Sequence, residues 1–371
     1  MIVLRRYPSA LAALVFLTAM THGALSCRPV EIEDNRRLLL ASWGDHVILP
    51  LYRDFETAAG TLDDAARSLC ASPSTQSLEA AQTAWRGARA PWKQAEVFAF
   101  GPYKDEPLRL GPKVDFWPVR IDSITEVLDG TDVLTPEFVA TLGAAQSGLP
   151  VIEYLLYQPG SDLVAEFTSN PRRCDYLLGL TADLLGHAGE MVAAWDPARG
   201  DYLAELLEAG RGSTTYSSLS MAVGEIASRM AFTVENIRAD KLGRPAGTSS
   251  GGSPQPDKAE SQPSGRSLDD IRNNLQTIEI LYHGDEASGQ LGLDFYLKKR
   301  GYHFAARMHD RLAAARLAVD AIPPPLTEAV VTSPATVLAA IDELGNLQRL
   351  IQVDIINALS LTVGFNDNDG D

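Results

Sequence analysis

Cysteine is scarce in this chain, three in 371 residues, which excludes a disulfide scaffold and a multi-Cys zinc site. No run reaches the roughly 20 apolar residues that a membrane span requires. Basic residues are outnumbered, 32 Lys and Arg against 48 Asp and Glu, leaving a formal net charge of −16. A chain this acidic repels a phosphate backbone, so nucleic acid is not expected as a partner. Alternating runs of Val, Ile and Thr are missing, and with them any strand pattern. HExxH, G-x-S-x-G and a phosphate-cradling glycine loop are also absent. Among His46, His187, His283, His303 and His309, no two stand at i, i+4. What is present, 45% hydrophobic and 22% charged residues, suits a soluble globular chain long enough for two domains.

Helical periodicity dominates. From residue 34 to 67, apolar residues recur at three and four: Leu38, Leu39, Val47, Leu51, Phe55, Ala58, Ala59, Leu62 and Ala66. Pro50 is expected to break or kink that run. Ser77 to Phe98 is a second helical run with a kink expected at Pro91, and residues 100–118, rich in Gly and Pro, read as a loop. Further helices are expected at 120–128, 136–145, 150–157, 170–195, 202–208, 217–241, 268–281, 290–319 and 333–361. Between 244 and 265, 13 of 22 residues are Gly, Pro or Ser, the composition of a flexible, disordered loop. The expectation is an all-α protein: an N-terminal helical-bundle domain over 27–200 and a C-terminal one over 201–371 that carries this loop.

Residues 1–26 have the form of an export signal: Arg5 and Arg6, an apolar run from Ala10 to Met20, then small residues. Ala24-Leu25-Ser26-Cys27 resembles a bacterial lipobox, with Ala24 where Leu is usual. On that reading Cys27 is acylated and anchors the chain to a membrane; cleavage after Ser26 without a lipid is the alternative. Arg28 after the cysteine favours the outer membrane. Removal of the signal deletes two arginines and leaves −18. Cys70 and Cys174 would then be the remaining thiols, expected to pair in an oxidising periplasm, with two separate buried thiols as the alternative.

Four stretches, in order, carry a family resemblance: Trp85-Arg86-Gly87-Ala88-Arg89-Ala90-Pro91-Trp92 with Glu96 and Phe100-Gly101-Pro102; Gly148-Leu149-Pro150-Val151-Ile152-Glu153-Tyr154; Lys241-Leu242-Gly243-Arg244-Pro245 with Ser267-Leu268-Asp269-Asp270-Ile271 and Asn274; and the tail Val363 to Asp371. Together they resemble the imelysin family of bacterial envelope proteins. The resemblance implies two helical bundles, a functional site between them and a link to iron acquisition, including an iron-uptake receptor as partner and iron as a possible cofactor. The family name comes from a peptidase. Its motif is G-x-H-x-x-E, and here the histidine position is Pro150. Histidine and glutamate three apart share a helix face and can share a metal or flank a water. Proline offers no lone pair, and one carboxylate does not hold zinc. The sequence resembles the branch of periplasmic lipoproteins that carries G-L-P-x-x-E.

Trp85, Arg89, Trp92 and Glu96 stand at offsets 0, 4, 7 and 11, along one helical stripe. The tryptophans on such a face read as core, whereas a charge facing a core must be paired, so Arg89 is expected to hold Glu153 or Glu96. Glu153, near a helix N-terminus, either complements the helix dipole or takes part in a site. Trp117, Arg120 and Asp122 belong to a W-P element like that of family members, or else form a packed loop and a cap. The expected ligand pocket is lined by Trp85, Arg89, Trp92, Glu96, Trp117, Arg120, Asp122, Gly148, Pro150 and Glu153. Without the imidazole, binding rather than hydrolysis is expected, with a metallopeptidase and a receptor-docking scaffold as the rival readings.

Overall fold

The computed structural model describes residues 28–285 and 287–359, with side chains from residue 34 onward. The export signal, Cys27 and the tail from residue 363 lie outside the described residues. The fold is all-α. Helix α1 (Arg28–Trp43) passes through a wide turn at Gly44–Ile48 into α2 (Leu49–Ala71), and α3 (Thr75–Ala95) folds back on α2. Four short segments follow: α4 (Leu110–Val114), α5 (Ile121–Asp129), α6 (Pro136–Val139) and α7 (Gly148–Tyr157). Then come α8 (Leu163–Ser169), the long α9 (Pro171–Trp195) and α10 (Tyr202–Leu207). The second half holds α11 (Leu219–Asn236), which ends in a wide turn at Ile237–Gly243, and α12 (Ser267–His283). It continues with α13 (Leu293–Lys299), α14 (Ala305–Asp320), α15 (Leu326–Thr332), α16 (Pro334–Arg349) and α17 (Ile356–Ala358). A two-residue antiparallel pairing, Gly284 with Leu291 and Asp285 with Gln290, closes the turn between α12 and α13.

Local chemistry sets these boundaries. Pro50 stands in the first turn of α2, where its missing N–H leaves nothing unpaired. Pro91 lies inside α3 without ending it. Ser74 caps α3: its Oγ accepts the Ser77 N–H at 3.2 Å, and the Ser77 Oγ accepts the Ser74 N–H at 3.0 Å, a reciprocal box built from two serines. Helix α2 buries Tyr52, Phe55, Ala59, Leu62, Ala66 and Leu69, the three-and-four spacing of one face. That face packs on α3 and α9, and Cys70 and Cys174 are joined across α2 and α9 with their Cα atoms 5.5 Å apart. In the second half α14 packs on α16, and α12 packs on both α14 and α3. Helix α1 lies against α11 and α13, and its Trp43 Nε1–H donates to the Leu281 carbonyl at 3.2 Å. One continuous hydrophobic core results.

Several expectations need correction. Residues 136–145 hold only the four-residue α6, with a separate tight turn at Ala144–Gln146, and the expected loop at 100–118 contains α4. Residues 290–319 are not one helix: Gly301, at φ +82°, separates α13 from α14, because an L side chain there would be strained. The Gly/Pro/Ser-rich stretch is not a disordered loop. It runs as a succession of tight turns, and Glu260, Ser261, Ser264 and Arg266 are all under 10% exposed. Gly247, at φ +75°, leaves no room for a Cβ beside the Ser253 carbonyl, so glycine serves a closed turn there. Composition reports the apolar content available to a segment. It does not report the ionic contacts that fasten this one.

Candidate functional site

Where α3 meets α12, side chains from five segments form a buried ionic network. Arg89, on α3, donates from Nε to Asp270 Oδ2 at 2.8 Å, from Nη1 to Asp115 Oδ1 at 3.0 Å and from Nη2 to Glu260 Oε1 at 3.1 Å. Lys93, one helical turn on, pairs with Asp115 Oδ2 at 2.8 Å, with Glu96 Oε1 at 3.2 Å and with Glu260 Oε1. Lys241, from the wide turn after α11, reaches Glu96 Oε2 at 2.6 Å and Glu260 Oε2 at 3.1 Å. Arg266 Nε donates to Asp270 Oδ1 at 3.0 Å, and Ser261 Oγ to Asp270 Oδ2 at 2.6 Å. Asn274 Nδ2 bridges the Lys93 carbonyl and Glu96 Oε2, both at 2.7 Å. Arg89 and Lys93 are 1% and 0% exposed. Such burial is tolerable only because each charge is paired.

Electrostatics follow from that pairing. Burial alone would lower the Lys93 ammonium, but Asp115, Glu260 and Glu96 outweigh it and hold it well above the usual lysine range. Burial likewise works to raise Glu260, and Lys241, Lys93 and Arg89 hold it well below the usual carboxylate range. Glu96 and Asp115 are also held low against burial, Glu96 by Lys241 and Lys93, Asp115 by Arg89 and Lys93. Glu153 behaves oppositely. It lies on α7, 1% exposed, and Oε1 accepts the Ser264 backbone N–H at 2.9 Å. It makes no ion pair, and burial raises it to about 7 despite the nearby Arg89. Four cations thus face four paired carboxylates, with Glu153 as an extra, titrating fifth.

The local fold explains how Glu153 arrives there. Gly148 opens α7 at φ +80°, and a Cβ on it would sit 2.5 Å from the Val114 carbonyl oxygen. The next residues of G-L-P-x-x-E are buried, and the Leu149 carbonyl accepts Trp85 Nε1–H at 2.9 Å. The motif therefore seats α7 against α3 and turns Glu153 inward. This seating, with the sequence pattern, accompanies a match of the Imelysin family model to residues 48–351.

The chain belongs to the imelysin family. It is 29% identical to iron-regulated protein A of Synechococcus elongatus over 286 residues, 76% of this chain and 74% of that protein. Among solved structures it is similar to an iron-regulated protein A precursor from Parabacteroides distasonis, with a TM-score of 0.76 and 21% identity over 88% of this chain and 94% of that one. An imelysin-like protein from Psychrobacter arcticum gives a TM-score of 0.73 and 19% identity over 90% and 98%. These structural likenesses carry the fold.

A hydrolytic zinc takes three protein ligands and an open water position. The imelysin motif supplies only Glu153 here, since Pro150 has no donor atom. Glu96, Asp115 and Glu260 do bring one oxygen each within 4.8 Å of one another. Lys93 contacts all three, and Arg89 or Lys241 contacts each of them as well. A metal would have to displace the Lys93 ammonium, which these carboxylates hold firmly protonated, and break the Lys241 pairs with Glu96 and Glu260. The donor set does not fit a hydrolytic metal centre.

The expected lining residues separate in space. Arg89, Glu96, Trp92, Trp85, Glu153, Gly148 and Pro150 gather at this seam. Arg89 grips Asp115, Glu260 and Asp270, not Glu153 or Glu96 as expected, because those three acids approach the guanidinium edge directly. The tryptophan faces are covered by the protein's own rings: Trp92 by Tyr103 and Phe55, Trp85 by Tyr157 and the Arg89 guanidinium. Trp92 Nε1–H donates to Asp115 Oδ2 at 3.1 Å. Trp117 is half-buried, and Arg120 and Asp122 are exposed at the start of α5. Lys93, Asp115, Lys241, Asp270 and Asn274 were not anticipated as site residues, although all lie within or beside the motif stretches. Glu260, Ser261 and Ser264 had no signal, being set in low-complexity sequence.

Proposed function

We propose that this imelysin-family chain is an exported, envelope-anchored binding protein that serves iron or other small-ligand acquisition and does not hydrolyse peptide bonds. The relatives named iron-regulated protein A, one of them described as a precursor, support an envelope protein under iron control. Among the described residues no helix is long and apolar enough to cross a membrane. We assign anchoring to a lipid on Cys27, on the lipobox-like Ala24-Leu25-Ser26-Cys27, with the outer membrane as destination and an iron-uptake receptor as partner.

The observation that carries the binding reading is the contrast inside the network. The other carboxylates of the network are neutralised by the chain's own cations, while Glu153 is held by Ser264 and not by a cation, and changes charge near neutrality. Glu153 is buried, 1% exposed, so a ligand that opens the seam reaches it as the group still able to accept a cation or donate a proton. The test is to measure binding of iron, haem and iron chelates to the wild-type protein and to Glu153→Ala. Binding by the first and at least tenfold weaker binding by the second supports the reading; binding by neither overturns it. A peptidase would instead carry stoichiometric zinc after purification and lose cleavage of a protein substrate with a chelator.

A further inference from the structure

Thirteen residues beyond Asp270, roughly 20 Å along α12 at 1.5 Å per residue, a second cluster of donors stands apart from the ionic network. Tyr282 and His283 end α12, Asp294 lies in the first turn of α13, and His309 lies on α14. Tyr282 is 0% and Asp294 6% exposed. Tyr282 Oη, Asp294 Oδ1 and His283 Nε2 are all shielded from solvent without a hydrogen-bond partner. The other Asp294 oxygen pairs with Lys298 Nζ at 2.5 Å. The His283 ring stands edge-on to His309, centroids 6.0 Å apart, and 5.0 Å from the Tyr282 ring. Tyr282 and His283 both lie in the field of Asp294. His309 is exposed, so the cluster has a side open to solvent.

Each buried polar atom left unpaired carries a penalty that a partner would relieve. Two imidazoles and a carboxylate are the nitrogen and oxygen donors that borderline divalent ions take. We propose that His283, His309 and Asp294 bind a divalent transition-metal ion, with the Tyr282 hydroxyl beside it. The three ligand atoms are not yet gathered: among the described residues only Glu96, Asp115 and Glu260 place three such atoms within 4.8 Å. Binding turns the exposed His309 ring, which already stands edge-on to His283, and draws Asp294 Oδ1 in as the third ligand. This inference is independent of the function assigned to the Glu153 seam.

The experiment uses Zn²⁺ as probe. The metal-stripped, folded protein is titrated calorimetrically, and Co²⁺ replaces zinc to report the ligand field by its visible spectrum. One zinc per chain is expected, weakened at least tenfold by His309→Ala and by His283→Ala, with loss of the Co²⁺ bands. His309→Ala changes a surface side chain, so its thermal unfolding without metal should match the wild type. Glu153→Ala should bind zinc unchanged, which separates this site from the seam. Wild-type protein that binds no zinc, or zinc binding that survives His309→Ala, overturns the proposal.

Discussion

Glu153 titrates near pH 7 in the fold and near 4.3 in an unfolded chain. Its folded carboxyl is raised, so it adds no penalty below the unfolded value, where both states are protonated. The penalty grows as pH rises through that window and is complete above about 7, where it amounts to about 3–4 kcal/mol. Glu153→Gln is therefore expected to be more stable than the wild type at pH 8, by about 1–3 kcal/mol, and close to equal at pH 4.5. Urea denaturation at the two pH values measures this; an equal gain at both would contradict the assignment. Lys93 makes the opposite case. Lys93→Met removes the ammonium shared by Glu96, Asp115 and Glu260, and leaves buried carboxylates short of a counter-ion. A loss of about 3–5 kcal/mol is expected from denaturant midpoints. At this scale the sequence disclosed Arg89 and Glu153, because a charge inside an apolar stripe and a departure from a motif are both visible in a line of letters. It did not disclose which acid each base holds. Glu260 is separated from Lys93 by 167 positions, and no periodicity reaches that far.

Elements were more legible than contacts. The three-and-four spacing located α2, α3, α9 and α11, because one buried face imposes it. Short segments in residues 100–118 escaped because α4 has five residues, too few to show a period. The break between α13 and α14 hangs on a single glycine. Gly148 shows how one residue sets an element. Gly148→Ala combines a left-handed backbone with a Cβ 2.5 Å from the Val114 oxygen, and should cost roughly 2–5 kcal/mol and displace α7. A matching fall in thermal midpoint, with the far-ultraviolet helical signal kept, is the expected result. The bond between Cys70 and Cys174 spans 104 positions. Replacing both cysteines by serine should cost about 2–5 kcal/mol, since a closed loop of that length restricts the unfolded chain most. Denaturation with and without reductant checks it: the wild type should shift and the double variant should not.

For the molecule as a whole, the all-α reading and its helical bundles were accessible from composition and period alone. The seam was not, because it depends on a segment whose composition argues for disorder. A fragment ending at residue 200 tests how far the halves depend on each other. It keeps Arg89 and Lys93 but loses Glu260 and Asp270, and it strands α1 without α11 and α13. It is expected to lack a cooperative thermal transition and near-ultraviolet circular dichroism, while the full chain shows both. The same separation has a consequence in time. As the chain leaves the ribosome amino end first, Arg89 and Lys93 emerge well before Glu260 and Asp270, the latter 181 positions after Arg89. Asp115 and Glu96 can pair with these cations early, but the seam closes only once the second half has been delivered, and for an exported chain that means after translocation.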